Sequence, residues 1–121
     1  LHNQGIKAAT QVWAGGIAVV DAGYMAPARA ALSLIAIGVF QESVLNSGSA
    51  GAKSVEVLEG AYKFANSTAG DQIVQADLGK DCFLVDDQTV AKTDGTGTRS
   101  RAGKVHRIDS DGVVVLIGLG L

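Results

Sequence analysis

One cysteine, one proline, one tryptophan and only two histidines occur among the 121 residues, and each scarcity removes a class of protein. A lone thiol, Cys82, makes no internal disulfide, and no CxxC or HxxxH grouping is present to hold zinc. Cys82 lies in the apolar run CFLV, which points to a buried inert thiol rather than a nucleophile. No stretch approaches the roughly 18 apolar residues of a membrane-spanning helix. The opening LHNQGIKAAT lacks the basic-then-apolar order of a cleaved leader, so the expectation is a soluble chain not exported by that route. Charge of one sign is also lacking. The formal net charge is -2, and the long-range attraction that a basic domain exerts on nucleic acid is missing.

What is abundant is glycine, 16 residues, roughly twice the average usage. The glycines fall between short β-branched runs, as turns and bulges do in an all-β domain. IAVV at Ile17 to Val20 reads as a strand followed by the turn DAG. Tyr24 to Phe40 is ambiguous between helix and strand; Pro27 and Gly38 favour strand, taken here as Ala31 to Gln41. NSGSAGA, Asn46 to Ala52, reads as a flexible loop.

SVEVLEGAYKF, Ser54 to Phe64, alternates apolar and polar residues around a bend at Gly60. Gln75 to Lys80 has room for a single helical turn, with Gly79 suited to a left-handed cap. Asp81 to Val85, Thr89 to Lys92, Gly103 to Ile108 and Gly112 to Ile117 are further strands, the last two joined by DSDG with Asp111-Gly112 at the turn. No repeat or linker divides the chain. The fold expected is all-β: a small β-barrel or β-tulip-like domain over residues 17–121, an extended N-terminal arm over residues 1–16, a segment that also reads as an irregular first strand, and at most one short helical turn.

The segment DDQTVAKTDGTGTRS, Asp86 to Ser100, admits three readings: a metal loop, a phosphate cradle or a connection between strands. A P-loop fails twice. Gly79-Lys80 is followed by Asp81 and has Val74 five residues before it, and Gly103-Lys104 is followed by Val105 with Thr98 upstream. A calcium loop of the EF-hand type needs alternating oxygen ligands and a distal glutamate; Asp87, Thr89 and Ala91 do not supply the series, and no glutamate follows Glu59. A connection between strands therefore explains the segment best, with Arg99 and Arg101 either solvated or meeting a carboxylate on a neighbouring chain. Adjacent Asp86 and Asp87 on a strand would face opposite ways, His106 in VHRI reads as an exposed strand residue, and no GxSxG elbow is present.

VEVLEGAYKFANS, QADLGKDCFLVDDQTVAKTDGTGTRSRAGKV and DSDGVVVLIG, spanning Val55 to Gly118, resemble the head decoration, or cement, proteins of tailed bacteriophages. That resemblance implies a structural and non-enzymatic protein on the outer surface of the expanded head, made in the host cytoplasm. It also implies a homotrimer bridging major capsid subunits, with an arm that adds to the capsid surface. The implied partners are the major capsid protein and the chain itself, with no direct contact to nucleic acid or membrane and no cofactor or metal. The residues expected at the capsid or subunit interface are Leu1, Ile6, Val12 and Trp13 in the arm, with Arg99 and Arg101. Trp13 is the one large anchor in a small and polar segment. Two rival expectations stand beside this: a small β-barrel binding module for an oligonucleotide or oligosaccharide, and an enzyme whose site converges from Asp86, Asp87 and His106.

Overall fold

The computed structural model describes residues 3–119, so the expectation for Leu1 lies outside the described residues. The chain forms β1 (Asn3–Gly5), β2 (Thr10–Val12), β3 (Ile17–Asp21), β4 (Tyr24–Pro27), β5 (Ile35–Phe40), β6 (Val44–Asn46), β7 (Ser54–Leu58), β8 (Gly60–Asn66), β9 (Asp81–Leu84), β10 (Thr89–Ala91), β11 (Arg101–Asp109) and β12 (Gly112–Ile117). The all-β expectation holds. Two single 3-10 turns, Ala69–Asp71 and Gln75–Asp77, replace the one helical turn expected. The second is held by the Asp77 carboxylate, which accepts the Val74 N–H at 2.8 Å, and Gly79 takes its left-handed φ of 79° soon after.

Three assemblies of strands result. A five-stranded sheet runs in the order β1-β7-β5-β3-β4, a closed barrel in the order β10-β8-β12-β11-β9, and β2 pairs with β6 as a two-stranded ribbon. Every pairing is antiparallel except β8 with β10. The edges of the five-stranded sheet approach each other where Ile6 bridges Met25 and the Lys7 N–H donates to the Met25 carbonyl at 2.9 Å. Pro27, which has no N–H to donate, sits on β4, a strand that pairs on one side only with β3.

Local chemistry explains the reversals. Between β3 and β4 the loop is Ala22-Gly23, both at positive φ (52° and 91°), the geometry of a primed hairpin turn that matches strand twist. Tyr24 to Phe40 resolves into two strands rather than one, because Ser33 turns at φ 64° and Ser100 pins the link between them. The Ser100 hydroxyl donates to the Ala31 carbonyl at 2.7 Å and accepts the Leu34 N–H at 3.1 Å, so the strand begins at Ile35 and not at Ala31. Gly60, at φ 151°, is where the chain leaves the five-stranded sheet and enters the barrel. In DSDG the loop residues are Ser110 and Asp111, one position earlier than expected; Gly112 already pairs with Asp109.

Two apolar clusters fill the molecule. The first gathers Ile6, Val12, Ala18, Met25, Ile37, Phe40, Val55 and Val57 on one face of the five-stranded sheet. The second unites barrel residues such as Phe64, Leu84, Val90, Val113 and Val115 with Ile17, Val19 and Val39 from the other face of that sheet. The sheet is thus a wall common to both clusters, which is why no linker is legible between them.

The N-terminal arm is a correction. Residues 3–12 are woven into the fold as β1 and β2, and Ile6 and Val12 are both 0% exposed within the first cluster. Burial of two aliphatic side chains and pairing of both strands outweigh the polar composition that made the segment look free. The loop expected from Asn46 is likewise tied down at its start: Asn46 is fully buried and its amide nitrogen donates to the carbonyls of Ile6, Lys7 and Ser49.

Candidate interaction surface

With Ile6 and Val12 inside, Trp13 is the exposed one of the three expected arm residues that are described, at 55%. It begins a tight turn in which the Gly16 N–H donates to the Trp13 carbonyl at 3.0 Å and Gly15 takes φ 85°, a conformation glycine accepts without strain. Three further bonds fasten the turn. The Ala14 N–H donates to the Ser43 hydroxyl at 3.0 Å, the Gly15 N–H to the Phe40 carbonyl at 2.8 Å, and the Phe40 N–H to the Gly16 carbonyl at 3.0 Å. A side chain at Gly16 would start 2.9 Å from the Asp87 carboxylate and 3.2 Å from the Trp13 carbonyl, so glycine lets Asp87 approach the turn closely. The indole is therefore presented from a rigid support.

Register places Leu45 nearby. Gln11 pairs with Leu45 and Val12 with Val44, and side chains alternate across the ribbon, so Val12 faces the core while Leu45, 56% exposed, lies on the outward face. Trp13 follows directly on the end of this strand, so the exposed indole and Leu45 belong to the same end of the fold.

Arg99 and Arg101 sit elsewhere and are engaged within the chain. Arg99 Nη1 lies 3.3 Å from Asp71 Oδ2 and donates to the Thr93 carbonyl at 3.1 Å, closing the loop between β10 and β11. Asp71 is held below the usual carboxylate range by its bond from the Thr93 hydroxyl and then by Arg99. Arg101 Nε lies 2.8 Å from Asp81 Oδ1, which also receives Lys104 at 3.1 Å. Sequence reasoning offered these cations to a neighbouring chain, and the carboxylates they meet are Asp71 and Asp81 of their own.

The segment from Asp86 to Ser100 makes two connections. Asp86 Oδ1 accepts the Gln88 N–H at 2.8 Å in the reversal between β9 and β10, and the Asp94 carbonyl accepts the N–H groups of Thr98 and Arg99, each at 2.9 Å. Among the described residues no group of three His, Cys, Asp or Glu side chains is placed to hold a metal ion.

The convergent site is not assembled. Asp86 and Asp87 follow the C-terminal end of β9, whereas His106 is skipped at an irregularity of β11, next to Val105, whose N–H bonds the Lys80 carbonyl just before β9 begins. Burial, followed by the charge of Asp86, pushes the Asp87 carboxyl up, with no contribution from His106. Cys82 is buried, and burial raises its thiol to about 12, which keeps it protonated.

Two open grooves flank Ala65 and Asp111. The larger, about 590 Å³, lies between residues 65–75 and the hairpin of β11 and β12; the smaller, about 340 Å³, runs from Gly15 past Lys63 to Gln88. Their polar side chains are largely committed: the Asn66 amide bonds both the N–H and the carbonyl of Ile73 at 2.9 Å, and Lys63 spans Asp109 and Asp111. Asp109 is drawn down to about 2, by Arg107 first and then Lys63.

Comparison with protein-family models, with curated proteins and with solved structures finds no match. Among the described residues no helix is long and apolar enough to cross a membrane.

Proposed function

We propose that this chain is a structural decoration protein, binding the outside of an expanded phage head and stabilising it by bridging major capsid subunits, as a homotrimer. The observation that carries the reading is Trp13: a large aromatic left 55% exposed on a turn fastened by backbone and hydroxyl hydrogen bonds. Rigid, exposed aromatics are the side chains that contribute most at protein interfaces, and fixing them in advance lowers the entropy lost on docking. The likeness of Val55 to Gly118 to phage head decoration proteins supports the same reading and names the surface. A trimer would multiply individually modest contacts through effective concentration.

The test is co-sedimentation of the purified chain with expanded heads that lack it, with unexpanded heads and linear DNA as controls. Saturable binding to expanded heads alone is expected. Sedimentation with DNA but not with heads would favour the nucleic-acid binding module instead.

A further inference from the structure

The surroundings of Trp13 carry information about what it meets. Asp87 touches the same glycine as the Trp13 carbonyl, Asp86 is its chain neighbour, and Glu42 precedes the Ser43 that fastens the turn. None of these three acids makes an ion pair among the described residues, whereas Asp21, Asp71, Asp77, Asp81, Asp109 and Asp111 all do. Glu56, Glu59 and Asp94 are likewise without an ion pair among the described residues, but at the Trp13 turn none of the neighbouring acids is compensated.

The extent of the apolar surface narrows the occupant further. Trp13 and Leu45 offer much less than the roughly 800 Å² per partner of a stable protein pair. A second copy docked on this face alone would be held too weakly. A single projecting anchor suits insertion into a pocket on a larger assembled surface, where neighbouring copies share the load.

We propose that Trp13 and Leu45 insert into an apolar pocket edged by lysine or arginine on the partner protein, with Glu42, Asp86 and Asp87 meeting that cationic rim. This rests on the decoration reading, which supplies the partner as the head surface, and it adds the chemistry of the contact. The apolar pair supplies the anchor. The acids steer the approach and fix the orientation, since complementary charge acts chiefly on encounter rate and specificity.

The experiment is binding to expanded heads by sedimentation across about 50 to about 500 mM salt, for the unmodified chain and three variants. Trp13→Ala removes a mostly exposed side chain, so its thermal midpoint should match the parent while affinity falls at least about tenfold. Glu42→Lys and Asp86→Asn should each weaken binding roughly three- to tenfold at low salt and flatten the salt dependence. Asn at position 86 can still accept the Gln88 N–H, which keeps the reversal intact. Full affinity in Trp13→Ala, or salt-independent binding indifferent to Glu42→Lys, would overturn the docking proposal while head binding itself upheld the decoration reading. Failure of the unmodified chain to bind heads at any salt would overturn both.

Discussion

Asp87 is the residue at which stability and contact are opposed. Its carboxyl is half-buried against Gly16, and burial together with the charge of Asp86 raises its pKa, so the folded chain holds the carboxylate at a cost. A raised carboxylate pKa means that stability increases as pH falls through it, and Asp87→Asn should raise the thermal midpoint at pH 7 while weakening head binding. A midpoint lowered by Asp87→Asn would show that the carboxylate is satisfied by a partner. The ion-paired carboxylates behave in the opposite sense. Asp109, held at about 2 by Arg107 and Lys63, along with the lowered Asp21, Asp71, Asp81 and Asp111, stabilises the fold fully above the ordinary aspartate value of 3.8. That contribution disappears as pH falls from there towards about 2, and denaturant midpoints measured across this window should decline. The loss is modest, because these pairs are largely exposed and screened by solvent.

At the scale of elements, the decisive ones are the short strands at the N-terminus. β1 and β2 are three residues each, and Ile6, just after β1, and Val12, at the end of β2, are both buried in the first cluster. Ile6→Ala should cost about 2–5 kcal/mol, measured by urea denaturation, and removal of residues 3–16 should destabilise the entire fold. An unchanged midpoint after that truncation would restore the idea of an independent arm. These strands were hidden in the sequence because NQG and TQV carry no alternation long enough to register, and their pairing partners lie far along the chain, at Ser54–Leu58 for β1 and Val44–Asn46 for β2. β3, β7, β9 and β12 were legible for the converse reason: IAVV, SVEVL, DCFL and GVVVLI are β-branched or aromatic runs that only sheet burial accommodates well. The divided course of Tyr24 to Phe40 depends on Ser100, about seventy residues on, and local pattern carries no trace of it.

At the scale of the whole molecule, one sheet separates two apolar clusters and serves both, so the N-terminal strands, the ribbon and the barrel form a single support. That support is what holds the Trp13 turn rigid: β5 supplies Phe40, the start of β6 lies beside Ser43, and the reversal after β9 places Asp87 against Gly16. Trp13 could be singled out from sequence because it is the lone large residue in a small and polar segment. Leu45 and the approach of Asp87 to the Trp13 turn could not, since ribbon register and the placing of the reversal after β9 against Gly16 are products of the fold. Arg99 and Arg101 looked available because the acids they pair with are distant in sequence; Asp71 and Asp81 reach them only through the barrel.

The central claim, that the chain holds capsid subunits together, is tested most directly by the rupture temperature of expanded heads, followed by light scattering with and without saturating chain. The account predicts a rise that tracks occupancy and is lost with Trp13→Ala. Heads that bind the chain to saturation yet rupture at an unchanged temperature would contradict it.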